Sequence, residues 1–87
     1  MDSPSQIIAR TPKQIGAAVR RLRRQRSLTQ AELGANMHVR QATISKLEAG
    51  EPGTQLRVLM DALAALDVEL VIRPRSTTSS DDIEALF

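Results

Sequence analysis

Seven basic side chains lie between residues 10 and 26, and no acidic side chain lies among them. They are Arg10, Lys13, Arg20, Arg21, Arg23, Arg24 and Arg26. Because the rest of the chain is acidic on balance, the formal net charge is only +2. Such an uneven distribution predicts a polyanion partner at the basic end and a different kind of contact at the other. A solvated arginine-rich helix is the alternative interpretation.

The sequence holds few groups that could catalyse a reaction or bind a metal. There is no cysteine and one histidine, His38, which excludes disulfides, thiolate zinc sites and cysteine nucleophiles. A catalytic or metal-binding role for His38 would need a second histidine or a carboxylate at ligand spacing, and neither is present. A nucleophile paired with a base and a glycine-rich phosphate loop are also lacking. We therefore expect no enzymatic activity, no metal or other cofactor and no small-molecule substrate.

The composition limits how this domain can be built. Of its 87 residues only Phe87 is aromatic, so the core must be aliphatic. A chain this short buries little apolar surface, and a second copy could therefore add to its stability. No apolar run approaches the roughly 20 residues that cross a bilayer, and the N-terminus lacks the apolar region of a signal peptide. We expect a soluble, cytoplasmic, nucleoid-associated protein without a membrane partner.

Two capping boxes mark the starts of the first two helices. Residues 11–14 and residues 29–32 each begin with threonine and end with glutamine or glutamate, which satisfies free N–H groups at a helix start. Pro12 stands at the first helical position, where its missing N–H costs nothing. The first helix is expected to end at residues 25–27 and the second near Asn36.

Two further helices follow. The third carries Ile44 and Leu47 inward and ends at residues 49–50, and the fourth covers residues 55–66 with Thr54 as its cap. This fourth helix is apolar on two sides, which predicts burial on more than one face. Its main apolar stripe comprises Leu56, Leu59, Leu63 and Leu66, and the opposite stripe comprises Val58, Ala62 and Ala65.

Residues 68–73 predict a single β-strand, because β-branched and apolar side chains alternate between Asp67 and Pro74. A lone strand leaves a row of unpaired backbone groups. It must therefore pair with residues 7–8 or with its own copy in a second subunit, and we favour the second subunit. The expected dimer interface comprises Val58, Ala62, Ala65, Val68, Leu70 and Ile72.

The segment from residue 30 to residue 49 has the spacing of a helix-turn-helix. Its apolar and small positions are Leu33, Gly34, Met37, Val39, Ile44 and Leu47. Gly34 would let the two helices cross closely, and the apolar residues would fix their angle so that the second helix projects outward. From Leu22 to Gly50 the sequence resembles the Xre/Cro-type helix-turn-helix regulators. One departure is His38, which stands where such turns usually hold a glycine with positive φ and tolerates that conformation at some strain.

This resemblance implies that the start of the second helix of the motif faces DNA base edges. The residues that it implicates are Arg40, Gln41 and Ala42, with Thr43, Ser45 and Lys46 alongside. Gln41 can form two hydrogen bonds to adenine, and Arg40 can bind guanine or a phosphate. Thr29 and Gln30 open the preceding helix, whose N–H groups suit a phosphate oxygen. Arg20 and Arg24 complete the expected DNA-binding set.

The same resemblance pairs Arg23 with Glu48 in a partly buried ion pair between the first helix and the end of the recognition helix. Loss of either partner would leave the other charge buried and uncompensated. Arg23 could instead belong to the phosphate-facing patch with Arg20, Arg24 and Arg26. We favour the structural role, although both could coexist.

The C-terminal third, from the fourth helix through residues 66–75, resembles the HipB-like antitoxins, which are small Xre-type repressors encoded beside a HipA-type kinase toxin. This implies a mostly α fold of four to five helices, a strand that pairs across a homodimer, and binding to a palindromic operator in double-stranded DNA. Dimeric helix-turn-helix proteins contact half-sites about 34 Å apart. The resemblance also implies neutralisation of a HipA-like kinase toxin. There are two alternatives to the antitoxin function. The protein could be a free-standing Xre-type regulator without a toxin, or an adaptor that has lost DNA binding.

The chain is thus expected to comprise an N-terminal arm (1–10), a helix-turn-helix domain (11–74) and a flexible acidic tail (75–87). Within the tail, Ile83, Leu86 and Phe87 have helical spacing. Tethered amphipathic segments dock into grooves on folded partners. We therefore expect these three residues to contact the toxin, with a disordered terminus as the alternative.

Overall fold

Four α-helices form the regular structure of residues 6–75, the part of the chain that the computed structural model describes. In chain order they are α1 (Pro12–Gln25), α2 (Gln30–Met37), α3 (Gln41–Glu48) and α4 (Leu56–Ala65). The predicted mostly helical fold class is therefore confirmed. The predicted toxin contacts Ile83, Leu86 and Phe87 lie outside the described residues. Among the described helices, none is both long enough and apolar enough to cross a membrane.

The helix starts show which of the predicted caps form. In the capping box of α2, the Thr29 hydroxyl accepts from the Glu32 backbone N–H at 3.0 Å, and the Glu32 carboxylate accepts from the Thr29 N–H at 2.8 Å. At α1 only half of the predicted capping box forms, because the Thr11 hydroxyl accepts from the Gln14 N–H whereas the Gln14 side-chain oxygen accepts from the Arg10 N–H. The prediction that Thr54 caps α4 is wrong, because Gln55 holds the cap position and the Thr54 hydroxyl is buried without a hydrogen-bond partner.

All four helices end in the same backbone motif. Each helix is followed within two residues by a residue with a left-handed backbone conformation and a φ between 56° and 75°, and these residues are Ser27, His38, Gly50 and Asp67. In each case the N–H of this residue and the N–H of the next one bond to carbonyls in the last helical turn, which is the Schellman arrangement. His38 therefore adopts the positive φ that the turn was predicted to require. The strain of three non-glycine residues is balanced by these paired hydrogen bonds.

An apolar residue follows three of these four left-handed positions and packs against the core. These residues are Leu28, Val39 and Val68, and such a contact commonly accompanies a Schellman ending. Val68 was expected to contribute to the dimer interface, but it is half-buried against its own chain. It therefore closes the end of α4 instead of being freely available to a partner.

The core is aliphatic, as predicted, and draws on every helix. Val19, Leu33, Ile44 and Leu47 supply it from α1, α2 and α3. Four residues at positions i, i+3, i+4 and i+7 supply it from α4 and the residue that caps it: Leu59, Ala62, Leu63 and Leu66. This spacing forms one continuous stripe on a helix, and α4 turns that stripe toward α2.

The packing of α4 corrects two sequence-based assignments. Ala62 was expected at the dimer interface, but it is 0% exposed and lies within the core of its own chain. Leu56 was expected in the buried stripe, but it is 69% exposed. Ala62 lies between Leu59 and Leu66 in the stripe that fits the neighbouring helix, whereas Leu56 is the first residue of α4 and lies beyond the end of the packed stripe. Val58 and Ala65 are half-buried at its margin.

Residues 68–75 follow α4 without regular secondary structure in the single chain. Leu70, Val71 and Ile72 are exposed there. A strand needs a hydrogen-bonded neighbour, so the predicted pairing with a second subunit stays a prediction. At one end of this segment the Arg73 guanidinium donates to the side-chain oxygen of Gln6 at 3.5 Å, which brings the N-terminal arm close to it.

Candidate nucleic-acid interface

The helix pair α2 and α3 is joined by a tight turn that depends on Gly34. A Cβ added at Gly34 would lie 2.9 Å from the Val39 carbonyl oxygen, so a larger residue would force the turn and α2 apart. On one side α3 is anchored in the core by Ile44 and Leu47. The opposite side of this helix faces outward and presents a surface that a ligand can reach.

The outward surface of α3 carries most of the residues that were predicted to face bases. Its exposed members are Arg40, Gln41, Ala42, Ser45 and Lys46, and Thr43 is half-buried. Arg40 occupies the cap position of α3 and forms no side-chain cap hydrogen bond. The first N–H groups of α3 are therefore not capped by a side chain, and the positive end of the helix dipole points outward at this site.

The start of α2 presents a second polar group beside this surface. Thr29 is exposed, and its hydroxyl oxygen already accepts the hydrogen bond of the capping box. A hydroxyl also carries one proton to donate. Thr29 can therefore stabilise α2 and donate to a phosphate oxygen at the same time.

The basic residues of α1 adjoin the recognition helix. Arg20 and Arg24 are exposed, and with Gln30 and Ser45 they line an open cleft of about 400 Å³. A larger cleft of about 810 Å³ is lined by Lys13, Arg20, Arg21 and Arg24 beside the end of α3. The predicted phosphate-binding residues of α1 thus share one side of the domain with α2 and α3.

Arg23 differs from the other arginines of α1 because it is buried. Its side chain forms two hydrogen bonds to the Glu48 carboxylate, Nε to Oε2 at 2.6 Å and Nη2 to Oε1 at 3.0 Å. The remaining terminal nitrogen, Nη1, donates to the Leu28 carbonyl at 2.7 Å. The side chains of Arg23 and Glu48 are only 9% and 3% exposed. This geometry joins α1, the end of α3 and the loop before α2, and it withdraws Arg23 from the phosphate-facing patch.

The charges of this pair are mutually stabilised. Burial by itself raises the pKa of Glu48, but hydrogen bonds from Arg23 and Gln30, with the charges of Arg23 and Arg20, outweigh burial and hold the pKa below its ordinary value. The hydrogen bond to Glu48 raises the pKa of Arg23, against the opposing effect of burial. Both groups are therefore ionised at neutral pH.

The ion pair is connected to the exposed face of α3 through two glutamines. The Gln30 side-chain amide donates to Glu48 Oε1 at 3.0 Å, and the Gln41 amide donates to Gln30 Oε1 at 2.7 Å. The sequence paired Arg23 with Glu48, but it did not connect Gln30 or Gln41 to that pair. The only signal in the sequence was the presence of long polar side chains at the starts of α2 and α3, and that spacing alone does not reveal a contact between helices.

Two helices are joined by a tight turn at a glycine, the second helix faces solvent, and arginines lie beside it. This arrangement defines the helix-turn-helix class of DNA-binding domains. Residues 19–72 match the family model described as helix-turn-helix (HTH_3). This match covers more than half of the chain, and the chain belongs to this Xre-type helix-turn-helix family.

Within this family the chain is similar to antitoxins named HipB. It is 28% identical over 74 residues to Antitoxin HipB of Escherichia coli (strain K12), a match that covers 85% of this chain and 84% of the relative. A solved HipB–O4 20mer complex superposes with a TM-score of 0.74 at 28% identity, covering 79% of this chain and 97% of the other. A solved HipA–HipB–O2–O3 complex gives a TM-score of 0.73 at the same identity and coverage.

Proposed function

We propose that this protein is a dimeric transcriptional repressor that binds a palindromic operator and acts as the antitoxin of a type II toxin–antitoxin pair, neutralising a HipA-like kinase. The observation that carries the proposal is the fixed position of Gln41. It stands at the exposed start of α3, and a hydrogen bond to Gln30 holds its side chain. This is a binding function, and no residue is assigned a catalytic role.

Base recognition is assigned to the outward face of α3. Gln41 has the acceptor and donor that match adenine, Arg40 matches guanine or a phosphate, and the Ala42 methyl can contact thymine. Thr43 lies in the first turn of the same helix, and Ser45 and Lys46 lie one turn after Gln41 and Ala42. An α-helix fits the major groove of B-DNA, where each base pair presents a distinct pattern.

Phosphate binding is assigned to α1 and to the start of α2. Arg20 and Arg24 are exposed beside the cleft that reaches Gln30 and Ser45. Thr29 adds a hydroxyl donor at a helix N-terminus, where the dipole favours an anion. These contacts would hold α3 in register along the groove without reading sequence themselves.

Two substitutions should separate these roles once an operator has been selected from a random duplex library by the wild-type protein. Gln41→Ala should weaken operator binding by about 5- to 100-fold and relax the preference at one base pair, because a bidentate base contact is lost. Arg20→Ala should weaken binding to all sequences alike. The slope of the logarithm of the binding constant against the logarithm of the salt concentration should become shallower by about one unit per half-site, because one phosphate contact is lost. Fluorescence anisotropy across a salt series measures both effects.

The matched control is Arg57→Ala, which removes the same charge from α4, where Arg57 is exposed and 3.9 Å from Asp61. It should leave both the operator preference and the salt slope unchanged. If the library yields no preferred sequence, the chain is not an operator-binding protein. If Gln41→Ala binds the operator as tightly as the wild type does, base reading does not depend on α3 as assigned.

Dimerisation is supported by apolar surface that the single chain leaves exposed. Leu70, Val71 and Ile72 are 49%, 65% and 90% exposed, and their backbone has no strand partner among residues 6–75. Leu56 and Met60 add exposed apolar surface at positions i and i+4 of α4, which the sequence analysis had not assigned to an interface. Of the residues predicted for that interface, Leu70 and Ile72 are exposed, whereas Val58 and Ala65 are half-buried.

A dimer predicts that the selected operator is a palindrome with half-sites about one helical turn apart. Sedimentation of the free protein should show twice the monomer mass. A monomer that selects a single half-site would contradict this part of the proposal.

Toxin binding is supported by the similarity to HipB, which is present with HipA in the solved HipA–HipB–O2–O3 complex. The acidic tail, with Ile83, Leu86 and Phe87, remains our predicted contact on the toxin. Deletion of residues 76–87 should lower affinity for the kinase encoded beside this gene by about tenfold or more, because the apolar anchor is lost, while operator binding stays at the wild-type level. Isothermal titration with the purified kinase measures the first effect. Unchanged affinity would eliminate the tail as the contact.

A further inference from the structure

The described part of the N-terminal arm, residues 6–10, lies close to residues 68–73, which were predicted to form a strand. The contact between them is the hydrogen bond from the Arg73 guanidinium to the side-chain oxygen of Gln6, within one chain. Neither segment has regular secondary structure in the single chain, and within residues 6–75 no backbone hydrogen bond joins the two. Residues 68–73 therefore keep two backbone edges to which another strand can pair.

Burial alternates along the arm with a period of two residues. Ile7 and Ala9 are half-buried, whereas Gln6, Ile8 and Arg10 are exposed. A strand directs successive side chains to opposite faces. The arm therefore has an inner face toward its own domain and an outer face toward solvent, as a strand at the edge of a sheet does.

Residues 68–73 divide into two faces in the same way. The inner face begins with Val68, which is half-buried against the core of its own chain, and continues with Leu70 and Ile72. The outer face comprises Glu69, Val71 and Arg73. Directly opposed side chains of two paired strands lie on the same face of the sheet. The contact between Gln6 and Arg73 joins two outer faces and therefore has the parity of a strand pair.

An antiparallel pairing that places Gln6 opposite Arg73 fixes the register of all the other residues. The opposed pairs are then Gln6–Arg73, Ile7–Ile72, Ile8–Val71, Ala9–Leu70 and Arg10–Glu69. Three of these pairs are apolar and one joins opposite charges, and both kinds of cross-strand pair stabilise a sheet. A parallel pairing from the same contact would place Ile7 opposite Pro74, which has no N–H for the ladder, and would leave residues 68–72 unpaired.

The start of α1 agrees with the antiparallel register. The Arg10 N–H donates to the Gln14 side-chain oxygen, so it is not needed for a strand ladder. Hydrogen-bonded and non-hydrogen-bonded pairs alternate along antiparallel strands. With Arg10 in a non-hydrogen-bonded pair, Ile8 is in another one, and the ladder bonds are made by Ile7 and Ala9.

We propose that residues 6–10 form the outer strand of the dimer sheet, paired antiparallel with residues 68–73 of their own chain. One edge of residues 68–73 takes the arm, and the other edge takes the same segment of the second copy. The proposal deepens the proposed dimerisation and rests on it. The dimer sheet then has four strands. Two strands alone are only marginally stable in water, whereas three or more with an apolar face are stable.

Two introduced cysteines test the register, because the chain has no cysteine of its own. Ile8→Cys with Val71→Cys places both thiols on the outer face, where Ile8 is 49% and Val71 is 65% exposed. The Cα atoms of a non-hydrogen-bonded pair lie about 4.5 Å apart, within the range of about 4.4–6.8 Å for disulfides. In a glutathione buffer this variant should form a disulfide within one chain. Mass spectrometry after alkylation, without reduction, measures its fraction.

The matched control is Ile8→Cys with Ile72→Cys. A shift of one residue moves the second thiol to the opposite face of the sheet. The equilibrium constant for disulfide formation against glutathione should be at least about tenfold lower than in the first variant, because the two Cβ atoms point apart.

Deletion of residues 1–9 gives a second readout that does not depend on a disulfide. The dissociation constant of the dimer should rise about tenfold or more, because each copy loses its outer strand and three apolar pairs. Arg10 and Thr11, which bond to Gln14 at the start of α1, are retained. Deletion of residues 1–5 is the matched control and should leave the dissociation constant unchanged, because these residues precede the register. Sedimentation with interference optics measures both, since the chain has no Trp or Tyr.

The outcomes distinguish the proposed dimer from the proposed outer strand. If the wild type sediments as a monomer at every concentration, the dimer fails. If it is a dimer but the first cysteine variant forms its disulfide no better than the control, the register is wrong. A disulfide that links two chains would assign the arm to the second copy and contradict the pairing within one chain. If the protein without residues 1–9 dimerises as tightly as the wild type, the arm is not part of the sheet.

Discussion

Glu48→Ala should destabilise this domain by about 3–5 kcal/mol, which is the range for removing one partner of a buried ion pair. The Arg23 guanidinium would be left buried and would lose two of its three hydrogen bonds. Small domains are stable by only about 5–15 kcal/mol, so this loss would be a large fraction of the total and should clearly lower the denaturation midpoint. Chemical denaturation followed by circular dichroism at 222 nm measures the loss.

The size of this effect does not mean that the ion pair itself stabilises the fold by the same amount. Most of the cost comes from the charge that is left without a partner. Replacing both residues, Arg23→Met with Glu48→Leu, should therefore recover most of the lost stability. Recovery of stability in the double variant would show that Glu48→Ala acts through the buried, unpaired charge of Arg23. If the double variant is as unstable as Glu48→Ala, the pair is needed for the packing of α1 on α3.

The acid dependence of stability gives a second readout of the same pair. The folded-state pKa of Glu48 lies below its ordinary value of 4.5. A carboxylate whose pKa is lowered in the folded state stabilises the fold at any pH above its ordinary pKa. This stabilisation is lost as the pH falls from the ordinary pKa through the folded-state pKa. The wild type should thus lose stability below about pH 4.5 more steeply than the double apolar variant does. Every other carboxylate is common to the two proteins, so the difference isolates Glu48.

Local sequence signals predicted the helices of this protein well. The capping box at Thr29 and the left-handed conformation at His38 depend on residues within one turn of each other, and both are present in the structure. Gly50 ends α3 where the sequence indicated. These features are local because the hydrogen bonds that create them join residues at most five positions apart.

Features that depend on how helices meet were harder to predict. Periodicity shows that α4 has two apolar sides, but it does not show which side packs against α2. The buried side contains three members of the predicted main stripe and Ala62 from the opposite one, and Leu56 is left exposed. The bond from Gln30 to Glu48 spans 18 positions, and it follows from the crossing of α2 and α3 instead of from any local pattern. Residues 68–73, which were predicted to form a strand, have no regular secondary structure in the single chain, and a strand forms only with a hydrogen-bonded neighbour that local sequence does not specify.

Gly16→Ala should destabilise the domain by about 3 kcal/mol, at the upper end of the range for overpacked positions. Glycine to alanine within a helix normally stabilises by about 0.5–1 kcal/mol, so the expected sign is reversed here. The reason is that a Cβ at Gly16 would lie 2.4 Å from the Glu48 carbonyl oxygen and 2.6 Å from that of Leu47. Both atoms belong to the backbone of α3, and they cannot rotate away as a side chain could.

The two helices would therefore have to separate, and the separation would act where Glu48 meets Arg23. Loss of operator binding should accompany loss of stability, because Gln30 and Gln41 are held through the same carboxylate. Gly53→Ala is the matched control, since an added Cβ there meets nothing within 4 Å. It should leave stability unchanged or raise it by up to about 1 kcal/mol. The prediction is wrong if Gly16→Ala has the same denaturation midpoint as the wild type. In that case α1 can move away from α3 at little cost, and the close contact at Gly16 does not hold the ion pair.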